Sequence, residues 1–401
     1  MPGESWVSRA VATVVVASLV IAPLAGCKKD PGADERGEAR EAAAAPKPDA
    51  KKPKRGVIPT NTLVPQVPAD SFQPPSFDGY ERLPAFTYHH VDPKLDNEIS
   101  ITPAAFEAQL KLLKEQGFHT ITARQLADHH KDGTPLPEKP VMLTFDDGWK
   151  NQYVHAAPLL KKYGFVATFF VNPQPIGRGS AYMTRDMVTS LEDAGHDIQS
   201  HTWSHKAMTR RDSDDHLAFQ KRNMKQLTLA DEWIEQVVGR EPVAVAYPFG
   251  YYDTESVSRA RAAGYVLGFT TDEGVADARP SAAMIIKRFT ISRELSLASF
   301  ASRLNSGVLE TRHIEPDPGT RVRGITTTVT VDITDVSASV KDLKLTSGPS
   351  MRSTSIVKRG GRRYIVGRIN KAKVGSRQVI VSGVDESGRR YYYSWSLVMG
   401  D

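Results

Sequence analysis

The 401-residue sequence contains a single cysteine, Cys27, which excludes an intrachain disulfide and any metal cluster built on thiolates. Its most apolar stretch, AVATVVVASLVIAPLAGC ending at Cys27, is too short to read as a membrane-spanning helix. Charge of one sign is not in large excess. Lys plus Arg number 52 against 46 Asp plus Glu, a formal +6 that suits a solvated protein as well as one drawn to anionic surfaces. No Arg-rich patch interleaved with aromatics is present, so nucleic acid is not an expected partner. One further absence bears on chemistry. His201 and His205 enclose Thr202, Trp203 and Ser204, and without a glutamate between them they do not form the helical zinc-peptidase arrangement.

What is present divides the chain into four. Residues 1–27 have a short polar start ending at Arg9, the apolar core, and small residues before the cysteine. Leu24, Ala25, Gly26 and Cys27 resemble a lipobox, the signal at which bacterial lipoproteins are cleaved and lipidated on the cysteine. That resemblance implies an exported chain held by acyl groups at Cys27 to a bacterial cell-envelope membrane, facing the periplasm or the exterior. Residues 28–78 are rich in Lys, Ala, Pro, Glu and Gly and poor in large apolar side chains. They cannot bury enough surface to offset their ordering entropy and read as a disordered tether whose prolines give it reach.

From residue 79 to 315 short apolar runs alternate with helical patterns. Strands are expected at 84–91, 119–121, 141–145, 165–171, 196–200, 243–247, 265–270 and 284–290, with helices between them. Strand and helix in repeated alternation imply a parallel sheet, and seven or eight strands favour an α/β fold of the (β/α) barrel type, distorted, over an open sheet. After a turn-rich break at Glu315 to Gly319, residues 320–401 change to short strands between Gly, Ser, Asp and Lys turns, as in a small all-β sandwich.

The chemistry concentrates in VMLTFDDGW, Val141 to Trp149. Five apolar or β-branched residues lead into two adjacent carboxylates and a glycine, the pattern of a buried parallel strand ending at a tight turn. Adjacent carboxylates point in different directions, so one can bind a cation while its neighbour moves a proton. His201 and His205, four apart, have the spacing that puts two imidazoles on one face of a helical turn. One carboxylate and two histidines make a three-ligand metal site with an open position. A lone Asp-Asp is commonly a solvated turn and a lone His-x-x-x-His a surface feature. Their occurrence together at successive strand ends of one βα pattern is what points to a site.

TFDDG (Thr144 to Gly148), SHTWSH (Ser200 to His205) and YPFGYYD (Tyr247 to Asp253) together resemble the polysaccharide deacetylase family, the NodB-homology carbohydrate esterases, over roughly residues 86 to 289. TYHHV, KKYGFVATFFV and AGYVLGFTT are similar to the family's flanking segments. The resemblance implies metal-dependent hydrolysis of N-acetyl groups from an amino-sugar polysaccharide, either of the poly-N-acetylglucosamine type or peptidoglycan. It implies that Asp147, His201 and His205 hold one divalent metal, most simply Zn2+ with Co2+ or Ni2+ as alternatives. It also implies that Asp146 is the general base and that the backbone N–H of Phe249 donates to the oxyanion. Two features depart from the family. No arginine precedes Pro248 to orient the base. The late histidine that serves as general acid has no clear counterpart, leaving His313 and Asp272 as candidates. His89, His90, His196 and Asp197 are groove or strand-end residues, and Trp149 or Trp203 is a candidate sugar contact. The rival reading is a catalytically silent, glycan-binding envelope lipoprotein.

Overall fold

A computed structural model describes residues 81–400 apart from 211–213, 310, 312, 324–325, 349 and 371–374. Cys27, the export core and the tether expected up to residue 78 lie outside the described residues. Seven parallel strands build the first part: β1 (Ala85–Tyr88), β2 (Pro140–Asp146), β3 (Thr168–Val171), β4 (Asp197–Ser200), β5 (Ala244–Ala246), β6 (Leu267–Phe269) and β7 (Phe289–Thr290). Their order is β6-β5-β4-β3-β2-β1-β7. His119–Thr120 adds a short strand beside the start of β2. The two ends of the curled sheet meet through an isolated parallel bridge between Phe269 and Ile286. It is held by Thr270 N–H to Ile286 O at 2.9 Å and Ile286 N–H to Gly268 O at 2.8 Å. The result is a distorted (β/α) barrel, and the strand expected over 284–290 is reduced to that bridge and β7.

Helices α1 (Pro103–Glu115), α2 (Ala123–Asp132), α3 (Ala157–Tyr163), α4 (Arg185–Asp193), α5 (His216–Val238), α6 (Thr254–Ala262) and α7 (Leu297–Leu304) flank the sheet. Their starts follow the sequence: Thr102, Thr122, Thr184, Asp215, Asp253 and Ser296 cap α1, α2, α4, α5, α6 and α7 through their side-chain oxygens. Between β2 and β3 the helical segment begins with a π turn, Gln152–Ala156, before α3.

Period-two alternation in β2 decides what faces the site. Val141, Leu143 and Phe145 pack in the cluster shared with Phe106 and Leu110 of α1, whereas Met142 packs in the cluster that contains Phe170, Ala246 and Phe269. Asp146, two steps along the same face as Met142 and Thr144, is thereby directed inward. Every strand residue from Val141 to Asp146 is buried.

A two-sheet sandwich follows. One sheet runs Gly307–Val308, Arg390–Met399, Gly375–Val384, Lys341–Thr346. The other runs Ile314–Glu315, Thr326–Asp332, Arg362–Asn370, Met351–Arg359. Gly307–Val308 and Ile314–Glu315 thus already pair within the sandwich, ahead of the break read from the sequence. Trp395, Val329, Val331, Ile365, Val379 and Val381 form its core. Among the described residues no helix is long and apolar enough to cross a membrane.

Candidate active site

β2 ends between the two aspartates. Asp147 has φ 77° and Gly148 φ 72°, so two successive left-handed residues swing the Asp147 carboxylate out of the strand's alternation. A Cβ at Gly148 would come within 2.9 Å of Ile176 Cδ1 as well as being conformationally strained. Trp149 then folds back. Its indole N–H donates to Asp147 Oδ2 at 3.0 Å, and its ring lies between Tyr182 at 4.4 Å and His90 at 4.5 Å. Trp149 is therefore a support for a carboxylate, in addition to any contact with sugar.

With Oδ2 held, Asp147 Oδ1 faces His201 Nε2 at 3.5 Å and His205 Nε2 at 3.6 Å. The two histidines converge differently from the expected helical turn. His201 continues the β4 ladder through its N–H to Val171 O. Thr202 and His205 then adopt φ of 64° and 55°, so a tight non-helical turn brings residue 205 back beside 201. Gln226 of α5 fixes that turn, accepting from the Ser204 N–H and hydroxyl at 2.9 and 2.8 Å and, through its carbonyl, from Trp203 N–H at 3.0 Å.

These three residues could hold a metal. Their ligand atoms all lie within 4.8 Å of one another, and donors bound at about 2.0–2.1 Å in a tetrahedron sit roughly 3.4 Å apart. His201 Nδ1 lies 2.8 Å from Ala246 O. A carbonyl can only accept, so the ring proton is on Nδ1 and Nε2 presents its lone pair. Burial holds His205 down at about 4, so it offers a neutral nitrogen near neutrality.

Asp146 has a partner that sequence reading missed. Arg288, fully buried, grips it with both terminal nitrogens: Nη1 to Oδ1 at 2.7 Å and Nη2 to Oδ2 at 2.8 Å. The guanidinium is itself fixed by Nη1 to Thr144 Oγ1 at 3.0 Å and Nε to Thr270 O at 2.9 Å, over the rings of Phe170 and Phe269. The arginine absent before Pro248 is thus replaced by one from the last barrel segment. Its signal was an arginine inside the apolar run MIIKRFTI, where a charge is tolerated only with a buried partner. Burial alone would raise the Asp146 carboxyl, but the charge and the hydrogen bonds of Arg288 outweigh it and hold the group well below the usual carboxylate range.

Other expected residues fall in distinct places. Phe249, φ 61°, is exposed, with its ring 4.4 Å from that of His205. His89 lies close to both Asp146 and His205, and its buried Nδ1 has no hydrogen-bond partner among the described residues. Gln152 ties the two strand ends together, donating to Asp146 O at 2.6 Å and His89 O at 2.7 Å. His90 is held by Asn151 at 3.1 Å. His196 accepts from Ala167 N–H through Nδ1, and Asp197 from Arg124 N–H and Gln199; both are buried supports at the start of β4. Trp203 is half-buried in the histidine turn. Neither acid candidate faces the triad. His313 lies exposed against Glu315 in the sandwich, and Asp272 is buried between Tyr252 and Ser396.

The sequence model of the polysaccharide deacetylase family matches residues 133–268, the span that carries Asp146, Asp147, His201, His205 and Phe249. The barrel thus contains a polysaccharide deacetylase domain. It is similar to YxkH of Bacillus subtilis, described as a putative polysaccharide deacetylase, at 29% identity over 228 residues, 56% of this chain and 77% of that protein. It is 24% identical over 261 residues to the poly-β-1,6-N-acetyl-D-glucosamine N-deacetylase of Escherichia coli K12, covering 55% of this chain but only 38% of that enzyme. The enzyme of the same description from Staphylococcus aureus MSSA476 is 25% identical over 201 residues, 47% of this chain and 67% of the relative. In fold the chain resembles Streptococcus pyogenes deacetylase PplD, solved with acetate, at TM-score 0.50 and 24% identity over 56% of this chain and 99% of that one. The family match ends before Arg288, so the partner of Asp146 lies outside the most family-like span of the domain. As a polysaccharide deacetylase the protein is a hydrolase of N-acetyl amide bonds.

Proposed function

We propose that this deacetylase removes N-acetyl groups from an exported polysaccharide of the poly-β-1,6-N-acetylglucosamine type, using one divalent metal held by Asp147, His201 and His205. The observation that carries the reading is the pairing of a buried Arg288–Asp146 ion pair with that triad, with Asp146 Oδ2 4.0 Å from His201 Nε2. Zn2+ suits two imidazoles and a carboxylate, with Co2+ and Ni2+ next. When bound there, the metal supplies a Lewis acid for the acetamide carbonyl and makes water acidic near neutrality.

The chain's own residues do the rest. Asp146 takes the proton of the attacking water. Arg288 keeps Asp146 ionised and aimed, so its contribution rests on fixed position more than on high proton affinity. Phe249 N–H donates to the developing oxyanion. Its neighbours are already committed, Gly250 N–H to Tyr247 O at 2.8 Å and Tyr251 N–H to Pro248 O at 3.1 Å. His89 delivers a proton to the departing amine as the C–N bond breaks, in place of His313 and Asp272. The carboxylate–histidine layout, with a base gripped by Arg288 beside it, supports turnover over silent binding.

The names of the E. coli and S. aureus relatives favour a β-1,6-linked glucosamine polymer over peptidoglycan. Export and lipid anchoring at Cys27 would place the domain, on its tether, at the cell envelope among such polymers. Purified protein loaded with Zn2+ is expected to release acetate from poly-N-acetylglucosamine faster than from chitin oligomers or peptidoglycan, and a preference for peptidoglycan would overturn the substrate. Cys27→Ser should leave the membrane fraction, and unchanged partitioning would overturn the anchor.

A further inference from the structure

Three consecutive residues after β6, Thr271, Asp272 and Glu273, touch both the active site and the sandwich. On the active-site side, Thr271 Oγ1 lies 3.4 Å from the carbonyl of Phe249. Gly250 packs so closely that a Cβ there would sit 1.9 Å from Thr271 Oγ1. Asp272 accepts from the Tyr252 hydroxyl at 2.8 Å, and its carbonyl accepts from Arg288 N–H at 3.2 Å. One residue earlier, Thr270 O takes the Arg288 Nε–H. The segment therefore abuts both the turn that carries Phe249 and the arginine that grips Asp146.

On the other side the segment is held by the sandwich. Gln378 Nε2 donates to Thr271 O at 3.1 Å, Ser396 Oγ to Asp272 Oδ1 at 2.5 Å, and the Ser394 hydroxyl to Glu273 O. Ser394 and Ser396 are two apart on one strand, hence on one face, and Gln378 is the cross-strand partner of Ser396. The alternation Tyr393-Ser394-Trp395-Ser396-Leu397 puts Tyr393, Trp395 and Leu397 in the sandwich core and both serines, 0% and 5% exposed, against the barrel. Burying a polar row at that interface is costly unless it is matched, and here each member meets a different residue of one segment.

We infer that the sandwich is a positioning module for the deacetylase site, with Gln378, Ser394 and Ser396 fixing Thr271–Glu273 and, through it, the Phe249 turn and Arg288. This rests on the deacetylase reading of the site, but its physical content does not require turnover. None of the three touches substrate or metal, so they are positioning residues.

The test compares three full-length, metal-loaded proteins: the parent, the Gln378→Ala, Ser396→Ala double variant, and Val329→Ala, which opens a cavity in the sandwich's other sheet. Amide hydrogen exchange of 247–253 is expected to quicken about tenfold in the double variant and not in Val329→Ala. Turnover of an N-acetylated oligomer should fall roughly tenfold in kcat, with KM within about twofold, while Val329→Ala loses thermal stability and keeps kcat. Ser396→Thr, which retains the hydroxyl, should recover most of the loss. Unchanged exchange at 247–253 in the double variant would overturn the inference, as would equal quickening in Val329→Ala. A parent inactive on every N-acetylated glycan would instead overturn the proposed function while leaving the exchange result to decide this one.

Discussion

Replacing Arg288 separates position from charge at the proposed base. Arg288 and Asp146 are 0% and 2% exposed and share two hydrogen bonds of 2.7 and 2.8 Å. Arg288→Met leaves a carboxylate in the barrel without its fork, and breaking one side of such a pair costs about 3–5 kcal/mol. Part of that is recovered if Asp146 takes up a proton, which removes the base. Arg288→Met should therefore lose stability and roughly 10²- to 10⁴-fold in kcat. Arg288→Lys keeps the charge but not the two-pronged grip, so it should retain most of the stability and still lose about tenfold in kcat or more. A thermodynamic cycle with Asp146→Asn isolates the pair: in the Asn background Arg288→Met should cost far less, giving a coupling of about 3 kcal/mol. Denaturant melts and acetate release on the parent and these four variants make the comparison. A folded Arg288→Met protein with near-parental kcat, or no coupling to Asp146, would refute the role assigned to this arginine.

Further outcomes follow from other contacts. Trp149→Phe keeps the stack on Tyr182 but loses the N–H that holds Asp147 Oδ2; Zn2+ affinity, read by chelator competition, should fall about 10- to 100-fold. His89→Ala should lower kcat on N-acetylated oligomers with a good deal less effect on activated acetyl esters, whose leaving group needs no proton; equal losses on both would count against a general acid. His196 is held down at about 4 by burial, against an unfolded value of about 6.5. Its folded form is neutral, so stability from this group is present above pH 6.5 and is lost as pH falls toward 4, by roughly 3 kcal/mol. In chelator-treated protein, urea titrations should show that loss in the parent, and His196→Gln should lack it.

Much of the architecture was legible because period and punctuation are local. The apolar run ahead of Asp146 and the alternation of apolar runs with helical patterns located the strands and the helices between them. The C-terminal change to short strands is likewise seen in a two-sheet sandwich, with Trp395 in its core. The candidate site was legible where its residues adjoin in sequence, as with Asp146 and Asp147. What escaped depends on long-range closure. Arg288 reaches Asp146 from 142 residues away, and nothing in its neighbours' spacing announces that. The histidine pair was read as a helical turn because four-residue spacing fits one; the actual turn needs left-handed Thr202 and His205 and an anchor, Gln226, from a different helix. Asp272 was a candidate acid, yet its surroundings are set by a sandwich strand more than 120 residues on.

The most direct measurement sets Asp146→Asn against Asp147→Asn, with bound metal and acetate release recorded on the same preparations. Asn preserves shape at both positions, so the contrast reports chemistry. Asp146→Asn should keep about one metal per chain and lose roughly 10²- to 10⁴-fold in turnover, while Asp147→Asn should lose metal and turnover together. An Asp146→Asn protein that holds its metal and turns over like the parent would contradict the account.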